Sequence, residues 1–196
     1  HAVAYATLCY ETAYYKYYYP KEYLAAELTN IFTSVAADKR KERVAETVKD
    51  CRRLGIKFLP ITAQDSEWKF KVEGDSIRIG MCSISSFGEK AYNAFSLVED
   101  KTSIESVFES VNKTTCNKKA FNALIFAGAF GDRTQAYLKY CELRDESPVD
   151  EIVFHKTLRV NIYEDDREIE EKLLSYNFIY NLTNNLNAFG YKNLKD

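Results

Sequence analysis

The chain has 196 residues, of which 46% are hydrophobic and 14% aromatic, so it can bury a core in one large domain or two small ones. Its formal net charge of -2 excludes a uniformly basic nucleic-acid-binding protein. The charge is nevertheless uneven, because basic residues are concentrated in residues 39–57 and acidic residues in residues 164–171. Any DNA-binding surface is therefore expected to be local.

The first 58 residues predict three helices. Residues 2–19 contain no Gly or Pro and alternate small residues with tyrosines, so we expect a helix that packs closely through its alanines. Residues 21–36 follow Pro20 and carry apolar residues at helical spacing. Asp38 is the predicted N-cap of a third, basic helix over residues 39–54. Its basic face is either solvated or turned toward phosphate.

Beyond these helices the apolar period changes to that of a β-hairpin. Residues 68–72 and 77–79 alternate apolar with charged side chains on either side of a turn at Gly74. The β-hairpin leads into a loop of small residues, loop 85–88, after which Glu89 begins a helix. Four short helices are predicted in this part of the chain: residues 89–100, 104–111, 118–127 and 133–143.

Two loops, each followed by a predicted helix, repeat one pattern: loop 85–88 and a second Gly-containing loop, loop 128–131. Small residues allow the backbone to approach a ligand closely, and the N–H groups at the start of the next helix favour an anion. Paired loops of this kind would bind the sugar-phosphate backbone of a duplex without reading its bases. The alternative is an ordinary helix–helix connection in which Gly88 supplies special backbone angles.

Other chemistry is weakly supported by the residues. Five cysteines are odd in number and form no C-x-x-C pair, which indicates free thiols in a reducing, cytoplasmic compartment: Cys9, Cys51, Cys82, Cys116 and Cys141. Residues 164–166 could hold magnesium, but their position at a predicted helix start favours interaction with the helix dipole. No Ser/His/Asp set, P-loop or membrane-spanning run is present, so the residues favour binding over catalysis and no membrane contact.

The predicted fold is therefore mainly α with a small β-hairpin. We divide it into a helical part, residues 1–58, a β-hairpin with the paired helix–loop–helix region, residues 59–144, and a connector, residues 145–196. The connector carries an acidic amphipathic helix over residues 165–180. The opening residues lack an initiator methionine and begin within a pattern, which indicates a piece of a longer protein.

Several stretches together resemble the family of bacterial replicative DNA polymerase III alpha subunits, the C-family polymerases. The opening H-A-V-A-Y-A, Y-E-T-A-Y-Y-K and Y-P-K-E-Y-L-A-A-E-L resemble the family's fingers segment. Residues 51–60, C-R-R-L-G-I-K-F-L-P, are similar to the family's C-R-R-x-G-I-x-x-L-P-P. Loops 85–88 and 128–131 fall where the family has its tandem helix-hairpin-helix, usually I-K-G-V-G-E and N-K-R-x-x-E-x-L-I-x-A-G-A-F-D.

The resemblance implies a fragment of a DNA-directed DNA polymerase, a nucleotidyltransferase, that comprises the end of the fingers and the tandem helix-hairpin-helix. The family's palm aspartates, which hold Mg²⁺ in the parent enzyme, lie upstream of this segment. The fragment is therefore expected to contain no catalytic residue, cofactor or metal site and to be inactive alone. Its implied partners are double-stranded primer–template DNA and the other domains of the parent polymerase. Binding to the sliding clamp stays open, because the sequence has no convincing peptide of the Q-x-x-L-F type.

By resemblance, His1 and Tyr5 lie near the incoming nucleotide. The implied DNA-binding residues surround the two loops: Ser85, Ser86, Phe87, Gly88, Lys90, Lys118, Lys119, Gly128, Gly131 and Arg133. Ser85 and Ser86 stand where the family has Lys and its first Gly, so we expect weaker but retained binding. Two alternatives stay open, a non-enzymatic helix-hairpin-helix module of repair or recombination and a helical protein-interaction scaffold.

Overall fold

Three helices open the chain in the computed structural model, which describes residues 1–146: α1 (Ala2–Tyr18), α2 (Pro20–Ser34) and α3 (Ala37–Arg53). Pro20 begins α2 as predicted, because its fixed φ suits the first helical position and its missing N–H needs no partner there. The prediction that Asp38 caps α3 is wrong, since Ala36 is the N-cap and Asp38 lies within the first helical turn. The predicted acidic helix over residues 165–180 and the cluster 164–166 lie outside the described residues.

The sequence predicted that α1 packs closely through its alanines, but none of the residues of α1 is buried. Its tyrosines stand around the whole helix, so no single face is apolar enough to join the core. Tyr14 and Tyr18 contact each other instead, with ring centroids 4.6 Å apart. Near its C-terminal end, Lys16 forms an ion pair with Asp50 of α3, at 2.5 Å.

A three-stranded sheet follows: β1 (Lys57–Leu59), β2 (Lys71–Glu73) and β3 (Ser76–Arg78), in the spatial order β1-β3-β2. Strands β2 and β3 form the predicted antiparallel β-hairpin, with Gly74 in its turn. The parallel pairing of β1 with β3, which places Phe58 opposite Ile77, was not predicted. Arg78 ties the sheet together, because it donates to Glu73 at 2.7 Å and to the Pro60 carbonyl at 2.8 Å.

The second half is helical: a single 3-10 turn (Met81–Ser83) precedes α4 (Glu89–Ser96), α5 (Ile104–Ser110), α6 (Lys118–Phe126) and α7 (Arg133–Arg144). Loop 128–131 thus joins two α-helices as predicted. Loop 85–88 follows the β-hairpin as predicted, with the short 3-10 turn between them. The predicted mainly α fold with a small β-hairpin is confirmed.

One hydrophobic core extends from α2 to α7. The largest fully buried side chains come from both halves of the chain: Phe32, Phe87, Phe95, Phe121, Leu24, Leu28, Ile31, Ile61, Ile77, Ile79, Met81 and Ile84. Burial of this many large apolar groups is what stabilises so small a sheet. The predicted division at residues 58 and 144 stays a prediction. Among the described helices, none combines the length and the apolar character needed to cross a membrane.

The chain leaves β3 in very close contact with the segment before β2. A Cβ atom on Gly80 would lie 2.6 Å from the backbone of Lys69 and Phe70. Beside it, the N–H of Met81 donates to the Glu67 carbonyl at 2.9 Å and that of Cys82 to the Trp68 carbonyl at 3.0 Å. Only glycine leaves room for this backbone contact, which directs the chain into loop 85–88.

Candidate nucleic-acid interface

Loop 85–88 is fixed to the protein by Phe87. This side chain is 0% exposed, and its ring packs edge-on against Phe95 of α4, with centroids 6.3 Å apart. The resemblance implies that the amide of Phe87 meets a phosphate, which stays a prediction, while the side chain of this residue belongs to the core.

The residue with unusual backbone angles in this loop is Ser86, not Gly88. Ser86 is exposed and has a φ of 66°, in the left-handed region that glycine adopts most easily. Gly88 has a φ of -90° and a ψ of 166°, which any residue can adopt. The interpretation that Gly88 is needed for its backbone angles is therefore wrong. A Cβ atom there would meet nothing within 4 Å, so the missing side chain leaves open space on the outer surface.

Helix α4 begins at this loop without a side-chain cap, because its N-cap residue is Gly88. The three later helices are each capped by a side chain: Ser103 for α5, Asn117 for α6 and Asp132 for α7. Gly88, Glu89 and Lys90 are all exposed, so α4 begins at the surface, and its first N–H groups have no acceptor within the helix. An external anion can accept their hydrogen bonds, with Lys90 adding positive charge and Glu89 opposing it.

Loop 128–131 differs from loop 85–88 both in its backbone angles and in its electrostatics. Gly128 and Gly131 both have a φ of 83°, and Phe130 stacks on Phe121 with centroids 5.8 Å apart. However, Asp132 accepts a hydrogen bond from the N–H of Gln135 at 2.8 Å. A carboxylate thus occupies the helix start that an anion would need, which makes this loop a weaker anion site than loop 85–88.

The predicted basic residues differ in their availability. Lys90 and Lys119 are exposed, whereas Lys118 forms an ion pair with Glu146 at 2.5 Å. A hydrogen bond from Arg144, and a smaller effect of one from Lys118, lower the pKa of Glu146 to about 2. This carboxylate is therefore charged at neutral pH. Arg133 was expected at the surface, but it is 2% exposed at the start of α7. Its burial separates it from the other basic residues.

His1 and Tyr5 are both exposed at the start of α1, with ring centroids 6.5 Å apart. Their placement near a nucleotide stays a prediction.

Part of the basic charge of α3 has an internal role. Arg40 donates to the Val35 carbonyl at 2.9 Å, and Arg53 pairs with Asp50 at 3.0 Å. Lys39 and Lys49 are exposed, so the solvated and the phosphate-facing interpretations of this helix both stay open.

Two surface grooves lie beside the loops. The α7 groove, of about 580 Å³, adjoins loop 128–131 and contains the carboxylates Asp65, Glu105 and Asp132. The α4 groove, of about 420 Å³, runs between α4 and the α5–α6 connection, and of its lining residues the sequence had indicated only Lys90. Its lining residues include no carboxylate: Lys90, Asn93, Ala94, Leu97, Ser110, Asn112 and Thr115. Within residues 1–146, no group of three or more His, Cys, Asp or Glu side chains could hold a metal ion.

Known proteins match this region of the chain. A family profile described as a helix-hairpin-helix motif matches residues 55–136. The DNA polymerase III subunit alpha of Thermus aquaticus is 35% identical over 144 residues, which are 69% of this chain and 11% of that protein. The subunit of Saccharopolyspora erythraea is 32% identical over 157 residues, 78% of this chain and 13% of that protein. That of Mycobacterium tuberculosis is 36% identical over 134 residues, 66% of this chain and 11% of that protein. The chain spans about a tenth of the length of these curated relatives.

Proposed function

Because the chain belongs to the family of bacterial DNA polymerase III alpha subunits, we propose that it is the part of a replicative DNA polymerase that binds the primer–template duplex. Binding is through the phosphates and is independent of sequence. The chain thereby holds the duplex in position during DNA replication.

The observation that carries the proposal is the exposed, uncapped start of α4 behind loop 85–88. Phosphate oxygens accept hydrogen bonds from the free N–H groups of a helix start, and the helix dipole favours their negative charge. Gly88 leaves room for the DNA backbone to approach, and buried Phe87 holds the loop in place. Contacts of this kind position a duplex but carry no base information.

Nucleotidyl transfer belongs to other parts of the polymerase. In the family that the chain resembles, the aspartates that hold Mg²⁺ lie in the palm, upstream of this segment. This chain contributes by placing the duplex, which lowers the entropic part of the barrier. We expect residues 1–196 alone to be inactive as a polymerase.

A second role, protein contact, is favoured by α1. A helix with Val3, Tyr10 and Tyr17 each more than two-thirds exposed is unusual on a free surface. These side chains suit packing against other domains of the parent polymerase, with His1 and Tyr5 directed to the nucleotide side. Parent-domain contact and duplex binding are compatible, because α1 and loop 85–88 are separate parts of the chain.

Fluorescence anisotropy of residues 1–196 with labelled DNA tests the proposal. We expect similar affinity for a primer–template and for a random duplex, weaker affinity for single strands, and a salt dependence equivalent to about two to five phosphate contacts. Absence of duplex binding at low salt would refute the proposal and favour a protein-interaction scaffold. Preference for branched or nicked DNA would favour a repair or recombination module instead.

A further inference from the structure

We propose that the α4 groove is a second contact site for the same duplex, where one sugar-phosphate strand continues after it leaves loop 85–88. This inference rests on the proposed function and extends it. Of the residues that line the groove, the sequence had indicated only Lys90.

The direction of the groove follows from the spacing of its residues on α4. On α4, Asn93, Ala94 and Leu97 follow Lys90 by three, four and seven positions. The four residues therefore lie on one face of the helix, and this face is the α4 side of the groove. At 1.5 Å per residue this face extends for about 10 Å, the axial rise of about three nucleotides of one strand. Because Lys90 lies in the first turn of α4, the groove starts where loop 85–88 would release the strand.

The opposite side of the groove is a fixed, polar segment. Asn112 accepts hydrogen bonds from the N–H groups of Thr114 and Thr115, both at 3.1 Å, which holds the α5–α6 connection in shape. Ser110, Asn112 and Thr115 then line the groove with hydroxyl and amide groups. Such side chains are among the usual donors to phosphate and sugar oxygens.

Charge distinguishes this groove from its neighbour. The α4 groove contains Lys90 and no carboxylate among its lining residues, and Glu109 precedes Ser110 in α5 without lining the groove. The α7 groove contains three carboxylates, Asp65, Glu105 and Asp132, and two lysines, Lys101 and Lys139, of which Lys139 lies 3.7 Å from Glu105. A polyanion is therefore favoured in the α4 groove over the α7 groove. Leu97, 82% exposed in the α4 groove, supplies an apolar surface for the deoxyribose face of the strand.

A single charge placed in the groove tests the inference. Asn93→Asp is nearly isosteric and lies on an exposed helix face, so the fold is retained. Asn30→Asp, on the exposed surface of α2, is the matched control because it changes the net charge equally. At low salt we expect Asn93→Asp to weaken duplex binding about 3- to 10-fold and to reduce the salt slope by about one, with less than about a 2-fold change for the control.

A change of opposite sign provides a second variant. Thr115→Lys adds a cation to the far side of the groove and is expected to tighten duplex binding by about 3-fold and to steepen the salt slope. If Asn93→Asp and Asn30→Asp have the same duplex affinity while the unmodified chain binds duplex normally, the groove is not a contact site. The proposed function would then still stand. Failure of the unmodified chain to bind duplex at low salt would overturn both.

Discussion

Phe87 and Phe95 lie edge to face with ring centroids 6.3 Å apart, both fully within the core, so loop 85–88 is anchored to the helix that it begins. Replacing Phe87 by Ala removes this anchor and leaves a cavity. We expect the free energy of unfolding to fall by about 3 kcal/mol in urea denaturation. We also expect weaker duplex binding, because the N–H groups of α4 lose their fixed direction.

The control for the unfolding measurement is Leu97→Ala, which removes an exposed apolar side chain at the C-terminal end of the same helix. Its unfolding free energy should change by less than about 0.5 kcal/mol. If Phe87→Ala were equally harmless, the anchoring role assigned to this ring would be incorrect.

Ser86 adopts the left-handed conformation that disfavours any side chain, so Ser86→Gly relieves strain. The gain is partly offset by the greater freedom of glycine in the unfolded chain, which leaves a net stabilisation of about 0.5 kcal/mol. The neighbouring change Ser85→Gly relieves no strain and should destabilise by a similar amount. Denaturant melts of the two variants check the difference in sign.

The same Ser86→Gly variant should bind duplex more tightly, since it removes a side chain where the DNA backbone approaches. Anisotropy at low salt measures this effect. A Ser86→Gly protein that is more stable but binds no more tightly would mean that the loop does not contact DNA.

Lys90 and Lys118 should contribute unequally to DNA binding. Lys90 is exposed beside the open start of α4, whereas Lys118 must give up its ion pair with Glu146 before it can contact a phosphate. We expect Lys90→Ala to reduce duplex affinity about 3- to 10-fold and the salt slope by about one, and Lys118→Ala to have a smaller effect. Lys57→Ala, at an exposed residue of β1, is the control. A larger loss for Lys118→Ala would place the main contact at α6.

Glu146 gives a prediction about pH. Arg144 and Lys118 hold its pKa at about 2, below the ordinary value of about 4.3. Because the pKa is lowered in the folded protein, the stabilisation is complete above the ordinary value and is lost as the pH falls toward 2. The stability difference between the unmodified chain and Glu146→Gln should therefore shrink over this interval. An NMR titration of the Glu146 carboxyl with a midpoint near 4.3 would contradict the ion pair.

Local signals in the sequence were sufficient for most elements and insufficient for their packing. Alternation around Gly74 predicted the β-hairpin, and the proline at residue 20 predicted the start of α2. The parallel partner of β1 could not be predicted, because a strand of three residues has no period and its pairing is non-local. The sequence also does not indicate that the alanines of α1 are not buried against any other part of residues 1–146.

For the candidate site, too, local features could be predicted from the sequence and packing could not. The position of loop 85–88 followed from its small residues, and the family resemblance supplied its role. Burial of the Phe87 and Arg133 side chains results from tertiary packing, which local sequence signals do not show. The sequence does contain the signal for the difference in capping, because Gly88 precedes α4 and Asp132 precedes α7. Only the aspartate can cap its helix with a side chain, so this difference favours loop 85–88 over loop 128–131 as an anion site.

The close backbone contact at Gly80 limits which inherited substitutions this protein tolerates. Every substitution at residue 80 places a side chain against the backbone of Lys69 and Phe70, so a genetic screen should recover such alleles as loss of the protein itself. Gly88 has open space around it, so alleles there should leave protein abundance normal and weaken only the proposed duplex binding. Two glycines eight positions apart in the printed sequence would thus be separated by phenotype, the first being required by the fold and the second by the ligand.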